Sequence, residues 1–562
     1  MYLMTSVPAV VLAMSLAAAQ FAGTGLFDSL QKSMGIDSVS ESAASGSETD
    51  DPKPWLSKYS AEDRAQIEET GTLTHHEPVA EDSLSWTFDA DTGTLRISGK
   101  GPMKDYRDMT PEEQNARMLW DIDATKGWAE DAELPPWSEH AYDIRHIVIE
   151  DGVTSIGAFA FFGYYNNQTL TLPDSLEYVG RYACQGLGLS DDFTLPPNLK
   201  EIADGGFMET RIHAPFEFPE GLEIIGKDAF YANDFYDTIT IPASLYFIHE
   251  SAFANGLDLH HFIVSDKNEY YTEDEGVLYS KDKTVLLNYP RYKEEAEFTI
   301  PDSVKRLGDW SFGQNYFVHK ITIPASVKEI GDSVFELLAV IEEFDVDEDS
   351  EVYRVIDGVL YSKDKKTLVC YPALKKGERF AVPADVKTIG KGAFTNCSYL
   401  KELYIPATVE YIDNYALRPL YNMSLYLPEE IADKTAMHMS NLLSSADPYG
   451  FDLTQGFVYI PPEKRDLKES VIYYMKASGE EVPSDEELDA QIASGTYKYF
   501  SLDHIRANAF EVKNPLKVFY GGSQEKWDQY VEKNQLKLYD TEVSCGAAMP
   551  EDLVKLSQKK LP

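Results

Sequence analysis

Residues Ile321–Phe335 read ITIPASVKEIGDSVF, and residues Ile239–Phe253 read ITIPASLYFIHESAF. The two stretches agree at nine of fifteen positions. A phrase said twice carries either a chemistry or a shape. The flanking sequence decides for shape.

Taking the proline of ITIP as an anchor places Pro173, Pro196, Pro219 and Pro242 at equal intervals of twenty-three, with Glu150 one interval before the first. Later anchors are Pro301, Pro324, Pro383, Pro406 and a weaker one at Pro428. A fixed period of this length marks a solenoid, in which each unit buries its apolar face only against its neighbours. Three residues after the anchor stand Val153, Leu176, Leu199, Leu222, Leu245, Val304, Val327, Val386 and Val409. Six after it stand Ile156, Val179, Ile202, Ile225, Ile248, Leu307, Ile330, Ile389 and Ile412. Eleven after it stand Phe161, Cys184, Phe207, Phe230, Phe253, Phe312, Phe335, Phe394 and Leu417. These three columns have no polar exception, so each residue is expected to stack on its equivalent in the next coil and form the structural core.

Before each anchor the pattern is apolar, variable, apolar, as in Ile321, Thr322 and Ile323 ahead of Pro324. This is a short strand of period two, ended by a proline that cannot donate to a ladder. Stacked coils would align these strands as one long parallel sheet. Glycine recurs seven residues after the anchor, at 157, 180, 226, 308, 331 and 390, where a bend with positive φ is expected. Two longer gaps of equal length, Pro242 to Pro301 and Pro324 to Pro383, break the period identically. The missing anchors fall at Ser265 and Asp347, and the surplus residues include EGVLYSKDKTVLLNYP from Glu275 and DGVLYSKDKKTLVCYP from Asp357. Each reads as a β-hairpin around SKDK, near 275–290 and 357–372. About twelve coils then lie within a solenoid spanning 144–428.

The units L..I.IP..V..IG..AF and the insert GVLYSKDKT...YP resemble the BspA-type leucine-rich repeats of bacterial surface proteins. Residues 83–143 resemble the β-rich cap that precedes such repeats, and LKVFYGGSQEKWDQY from Leu516 resembles their tail motif. The resemblance implies a right-handed leucine-rich-repeat coil with the sheet on one side, short turns or helices on the other, and capping segments at both ends. It further implies a secreted or cell-surface bacterial protein that binds a protein or glycan on a host or neighbouring cell, with no enzymatic activity. A structural spacer in the cell envelope, or a carbohydrate-active enzyme with its site in the C-terminal mixed α/β region 429–562, are the alternatives.

The formal charge of −44 disfavours nucleic acid and anionic membrane surfaces as partners. Residues 1–22 hold the apolar run VPAVVLAMSLAAAQ, ending in small residues, and read as a signal peptide or signal anchor. Residues 23–82 read as a flexible acidic, Ser-rich linker with room for a short helix. No other membrane span is expected, and the chain is expected to be monomeric. The four cysteines form no CxxC pair. Cys184 falls in the aromatic column and Cys397 reads as structural, while a Cys370–Cys397 bridge is left open because geometry decides it.

The run Asp345–Glu351 invites a calcium-loop reading that fails, since Ser350 and Ile356 stand where Gly and Glu are needed. The neighbouring pairs His75–His76 and His260–His261 point to opposite sides of an extended chain, so neither makes a metal site alone. No pattern calls for a cofactor, and no nucleophile, base and orienting group assemble from spacing. Past Pro428, Ser484 with Glu487 forms a capping box for a short helix, and SQEKWDQYVEK from Ser523 reads as another. The candidate recognition residues are the variable strand positions, which alternate with core residues and are expected to face outward. They are Thr171, Thr194, Glu217, Thr240, Thr299 and Thr322, with Tyr404 and Tyr426 as aromatic anchors. Threonine on a solvated strand is equally what β-propensity alone produces.

Overall fold

The structure is a computed structural model. It describes residues 84–106, 134–437 and 516–561, apart from 165, 191–192, 211–215, 255, 314, 337, 398, 414, 418–422, 535, 537 and 540, together with 443–444, 496–497 and 500–501. The leader, the linker and the Ser484 helix lie outside the described residues.

The chain is a β-solenoid with little helix, and the proline-to-proline period is its coil. In the coil of Pro324, strand Lys320–Ile323 pairs in parallel with Glu343–Val346 of the next coil, placing Ile321 opposite Phe344 and Thr322 opposite Asp345. A second strand of two residues, Glu329–Ile330, pairs in parallel with Arg306–Leu307 of the preceding coil. Among the described residues most coils thus carry two ladders, of which only the first was expected; the described residues directly before Pro196 form no strand of the first. Among the described residues the anchor-side ladder forms four sheets, which end at Thr171, Val264, Val346 and Cys545. Two of these ends directly precede the inserts. The last sheet runs past Ser424–Leu427 through Leu516–Tyr520 to Thr541–Cys545, so two further rungs follow Pro428.

Phe161, Cys184, Phe207, Phe230, Phe253, Phe312, Phe335 and Phe394 are all buried. Phe207, Phe230 and Phe253 stack at 5.8 and 6.0 Å. Where an insert interrupts the column, its own tyrosine fills the place: Tyr289 stacks on Phe312 at 5.0 Å, and Tyr371 on Phe394 at 5.5 Å. At the surface the same period returns as ion pairs between successive coils, among them Lys200–Glu177, Lys387–Glu410 and Lys401–Glu378.

Each insert is larger than the expected hairpin. The hairpin around SKDK is present, with Val277–Ser280 antiparallel to Val285–Asn288. A preceding strand, Tyr271–Asp274, pairs with it on the other edge, as Tyr353–Ile356 does in the second insert. The added turns are Glu275-Gly276 and Asp357-Gly358, all four residues having φ between 49° and 80°. Two successive positive φ values suit a two-residue hairpin turn, and the acidic-glycine pair was its signal. Tyr271 Oη accepts the Ile248 N–H at 2.7 Å, and Tyr353 Oη accepts the Ile330 N–H at 3.0 Å. A side chain here replaces the carbonyl that a regular next coil would offer.

The glycine column corrects the expected bend. None of Gly157, Gly180, Gly226, Gly308, Gly331 and Gly390 has positive φ. They are small because the neighbouring coil is close: a Cβ on Gly180 would lie 2.6 Å from the Ala158 N, and one on Gly157 would lie 1.8 Å from the Lys104 O. The left-handed residues sit two positions later, at Phe159, Tyr182, Gly205, Asp228, Trp310, Ser333, Gly392 and Tyr415.

Two substitutions test this packing. Phe312→Ala is expected to lower stability by roughly 3 to 5 kcal/mol, the usual range for truncating a buried aromatic. Gly180→Ala is expected to destabilise although its φ is ordinary, because the coil spacing must open. Denaturant melts of both variants check the alignment, and an unchanged midpoint would break it.

Candidate recognition surface

Outward strand positions alternate with core positions, so the parallel register lines them up across coils. Thr171, Thr194, Glu217, Thr240 and Thr299 are exposed, and Thr322 and Tyr426 are half-buried. Thr194 lies outside any strand. Register joins Glu217 to Thr240 and Thr299 to Thr322. It also adds two residues that the sequence reading passed over. Ile263 stands opposite Thr240 and Asp345 opposite Thr322, in the coils whose anchor is Ser265 or Asp347 instead of proline. Their FIV and FDV triplets were the available signal. Ile263 is 49% exposed, an unusual position for isoleucine.

A second outward row lies two residues earlier and pairs across coils. His146 Nδ1 lies 2.9 Å from Thr169 Oγ1, and His261 Nε2 lies 2.8 Å from Thr238 Oγ1. Further along, Lys320 pairs with Glu343 and Arg379 with Glu402. These pairs lie within the face itself.

Tyr404, expected to stand open as an anchor, does not. It is 5% exposed, packed with Ala381 against Leu553 of the helix Glu551–Ser557. The aromatic end of the row is therefore covered by a segment more than a hundred residues downstream. Nothing in the local pattern of Tyr404 signals this.

Residues 139–260, 292–363 and 370–442 match the BspA type leucine rich repeat region in six copies. The chain carries a BspA-type leucine-rich-repeat region over these residues. The matched segments leave out 261–291 and 364–369, which fall on the two inserts. Similar solved structures include a leucine-rich repeat protein from Eubacterium ventriosum, with 22% identity over 62% of this chain and 86% of that one, at a TM-score of 0.44. A leucine rich cell surface protein from Faecalibacterium prausnitzii has 19% identity over 63% and 94%, at 0.39. The pneumococcal vaccine antigen PcpA has 16% identity over 84% and 99%, at 0.35. No curated relative matches the chain.

Inside the BspA-type repeats, carboxylates tie successive coils together. Eight residues after the anchor, carboxylates accept the N–H of the equivalent position one coil on. Asp204 Oδ1 takes Lys227 N–H at 2.9 Å, and Asp309 Oδ1 takes Asp332 N–H at 2.8 Å. Glu250 reaches over the first insert to Asp309 N–H at 2.8 Å and pairs with Arg306, which also holds Glu329 at 2.7 Å. Burial works against the Glu250 charge, but Arg306 outweighs it and holds the carboxyl below its usual range. Burial pushes the Asp204 carboxyl up to about 6, with Arg181 at 4.0 Å offsetting only part of the effect.

Cys370 and Cys397 are free, buried thiols that both approach the Tyr371 carbonyl, at 3.8 and 3.9 Å. The bridge left open by the sequence is not formed. Burial pushes Cys370 up to about 12, and it raises Cys184 and Cys397 too, which makes all three poor nucleophiles. Among the described residues no three His, Cys, Asp or Glu side chains are grouped to hold a metal ion. The run Asp345–Glu351 leads into the second insert, with Asp347 Oδ1 accepting Asp349 N–H at 2.8 Å. The helix Gln524–Asn534 lies where SQEKWDQYVEK was expected, and buries Trp527 and Tyr530 in the core of the last coils.

Asp204 gives a pH test. Unfolded, its carboxyl ionises near 3.8; folded, near 6. Between these values the folded state keeps the proton and is favoured, so stability falls as pH rises from 4 to 6, by up to about 3 kcal/mol from this group. Asp204→Asn keeps the Oδ1 acceptor and cannot ionise. Denaturant melts at pH 7.5 are expected to find it more stable than wild type, with the difference shrinking toward pH 4.

Proposed function

We propose that the protein is a non-enzymatic binding protein of the bacterial exterior, which recognises a protein or glycan through its open strand face. The observation that carries this reading is Ile263. It is 49% exposed in a continuous ladder with Glu217 and Thr240. Solvated sheet faces favour polar residues, and the neighbouring Thr171, Thr240 and Thr299 follow that rule. An isoleucine held out among them supplies apolar contact area inside a polar rim, the composition of a binding hot spot. BspA-type repeats are in keeping with binding or adhesion and with a place at the cell surface. Residues 1–22, read as a signal peptide or anchor, support export. The acidic charge directs the search to proteins and glycans ahead of nucleic acid.

The test is binding of the chain from Pro54 onward to immobilised matrix proteins and bacterial glycans. For any partner found, Ile263→Asp and Thr240→Glu are each expected to weaken binding by about tenfold or more. Their melting temperatures should match wild type, since neither side chain is buried. Affinity unchanged in both variants would remove recognition from this face, and no binding across the panel would favour the spacer.

A further inference from the structure

The strand face is open and largely polar along most coils, but its last stretch is aromatic and covered. Ala381, Tyr404, Tyr426 and Phe519 follow one another in parallel register. Tyr426 and Phe519 stack at 5.0 Å with their planes 16° apart. Leu553, 1% exposed, lies against Ala381 and Tyr404, with Met549, Val554 and Tyr426 packed around them. Both Tyr426 and Phe519 stay half-exposed.

We propose that the helix Glu551–Ser557 is a displaceable strap, and that the strip beneath it is a docking site for a short amphipathic helix carrying a carboxylate at its N-terminal end. The proposal rests on the reading of the strand face as a recognition surface, whose aromatic end the strap closes.

Two helices near the end of the chain differ in what they cover. Gln524–Asn534 buries Trp527 and Tyr530 in the main core of the last coils, so it belongs to the fold. Glu551–Ser557 buries Leu553 in a separate small cluster on the outside of the sheet. It follows the last strand, Thr541–Cys545, and closes no rung. A cap seals the end of a core; this helix lies on a side.

Leu561, four residues past it, packs against the main core of the last coils, and the polar attachments of the segment are few. Arg379 pairs with Asp552, the two side chains being 43% and 63% exposed, where solvent screens the attraction. Ser557 O accepts the Ala384 N–H at 2.7 Å, Asp385 accepts the Leu561 N–H at 3.0 Å, and Leu561 O accepts Lys365 Nζ at 2.8 Å. A helix of seven residues has little stability of its own, and Pro550 at its start offers no side-chain cap. The resident helix also states the chemistry of a replacement. An apolar residue takes the place of Leu553 over Tyr404, and a carboxylate one residue earlier meets Arg379.

The experiment uses the full chain and a fluorescent peptide with the sequence of residues 549–562. In wild type the strip is filled, so the peptide should bind poorly. Leu553→Asp should free the strip and bind the peptide about tenfold tighter or more, a step of about 1.4 kcal/mol. Asp552→Arg, which sets two cations together at the rim, should give an intermediate gain. The proposal is overturned if Leu553→Asp binds no better than wild type, or if that variant loses the main melting transition. Dimerisation of wild type that Leu553→Asp abolishes would assign the strip to the helix of a second copy and equally overturn the strap. The peptide assay uses no outside partner, so its failure leaves the Ile263 result standing, and the converse holds.

Discussion

The rest of the structure depends on one constraint: each residue packs on its own counterpart one period away. Phe230 lies between Phe207 and Phe253, and Lys200 reaches back to Glu177. The glycine column has its place for the same reason. Near Gly180 the coils approach so closely that even a methyl group would meet the Ala158 backbone. Because every contact repeats, a favourable residue is rewarded at each coil, and a bulky one is penalised by two neighbours.

The inserts put that constraint under load. A coil enlarged by a three-stranded meander cannot offer the usual carbonyls and rings to the coil before it. The chain replaces them piece by piece. Tyr271 and Tyr353 supply the missing acceptors, Tyr289 and Tyr371 continue the aromatic column, and Glu250 reaches across the first insert to Arg306 and the Asp309 N–H. The buried ion pair is better explained by this bridging than by net stabilisation. Its attraction must first repay the desolvation of both charges.

What the sequence disclosed follows the same logic. Columns such as Val304, Leu307 and Phe312 are legible because stacking forces the same residue type at a fixed interval. The second ladder was hidden because its strands are two residues long, too short to show a period of two. The glycines were seen, but their cause was misassigned. A recurring glycine signals either positive φ or close approach, and only neighbouring atoms distinguish them. Ile263 was missed because its coil lacks the proline used for alignment. Tyr404 was placed correctly on the outer row, and its burial was invisible because the covering residue is Leu553, outside the repeat.

This division bears on where specificity can reside. Inward positions answer to two neighbouring coils, and turn positions answer to backbone spacing, so neither can change freely without a matching change next door. Of the outward strand positions, the row that includes His146 and Lys320 pairs across coils, whereas the row two residues before the anchor carries no such obligation. A repeat protein can therefore write recognition there without disturbing its fold, and departures from threonine on that face are the places to look. Glu217, Ile263 and Asp345 are such departures in the open part, and the aromatic run from Tyr404 to Phe519 is another, partly beneath a helix. An exposed isoleucine and an aromatic strip both work against solubility unless something comes to cover them. At the C-terminal end of the face that something is already in place.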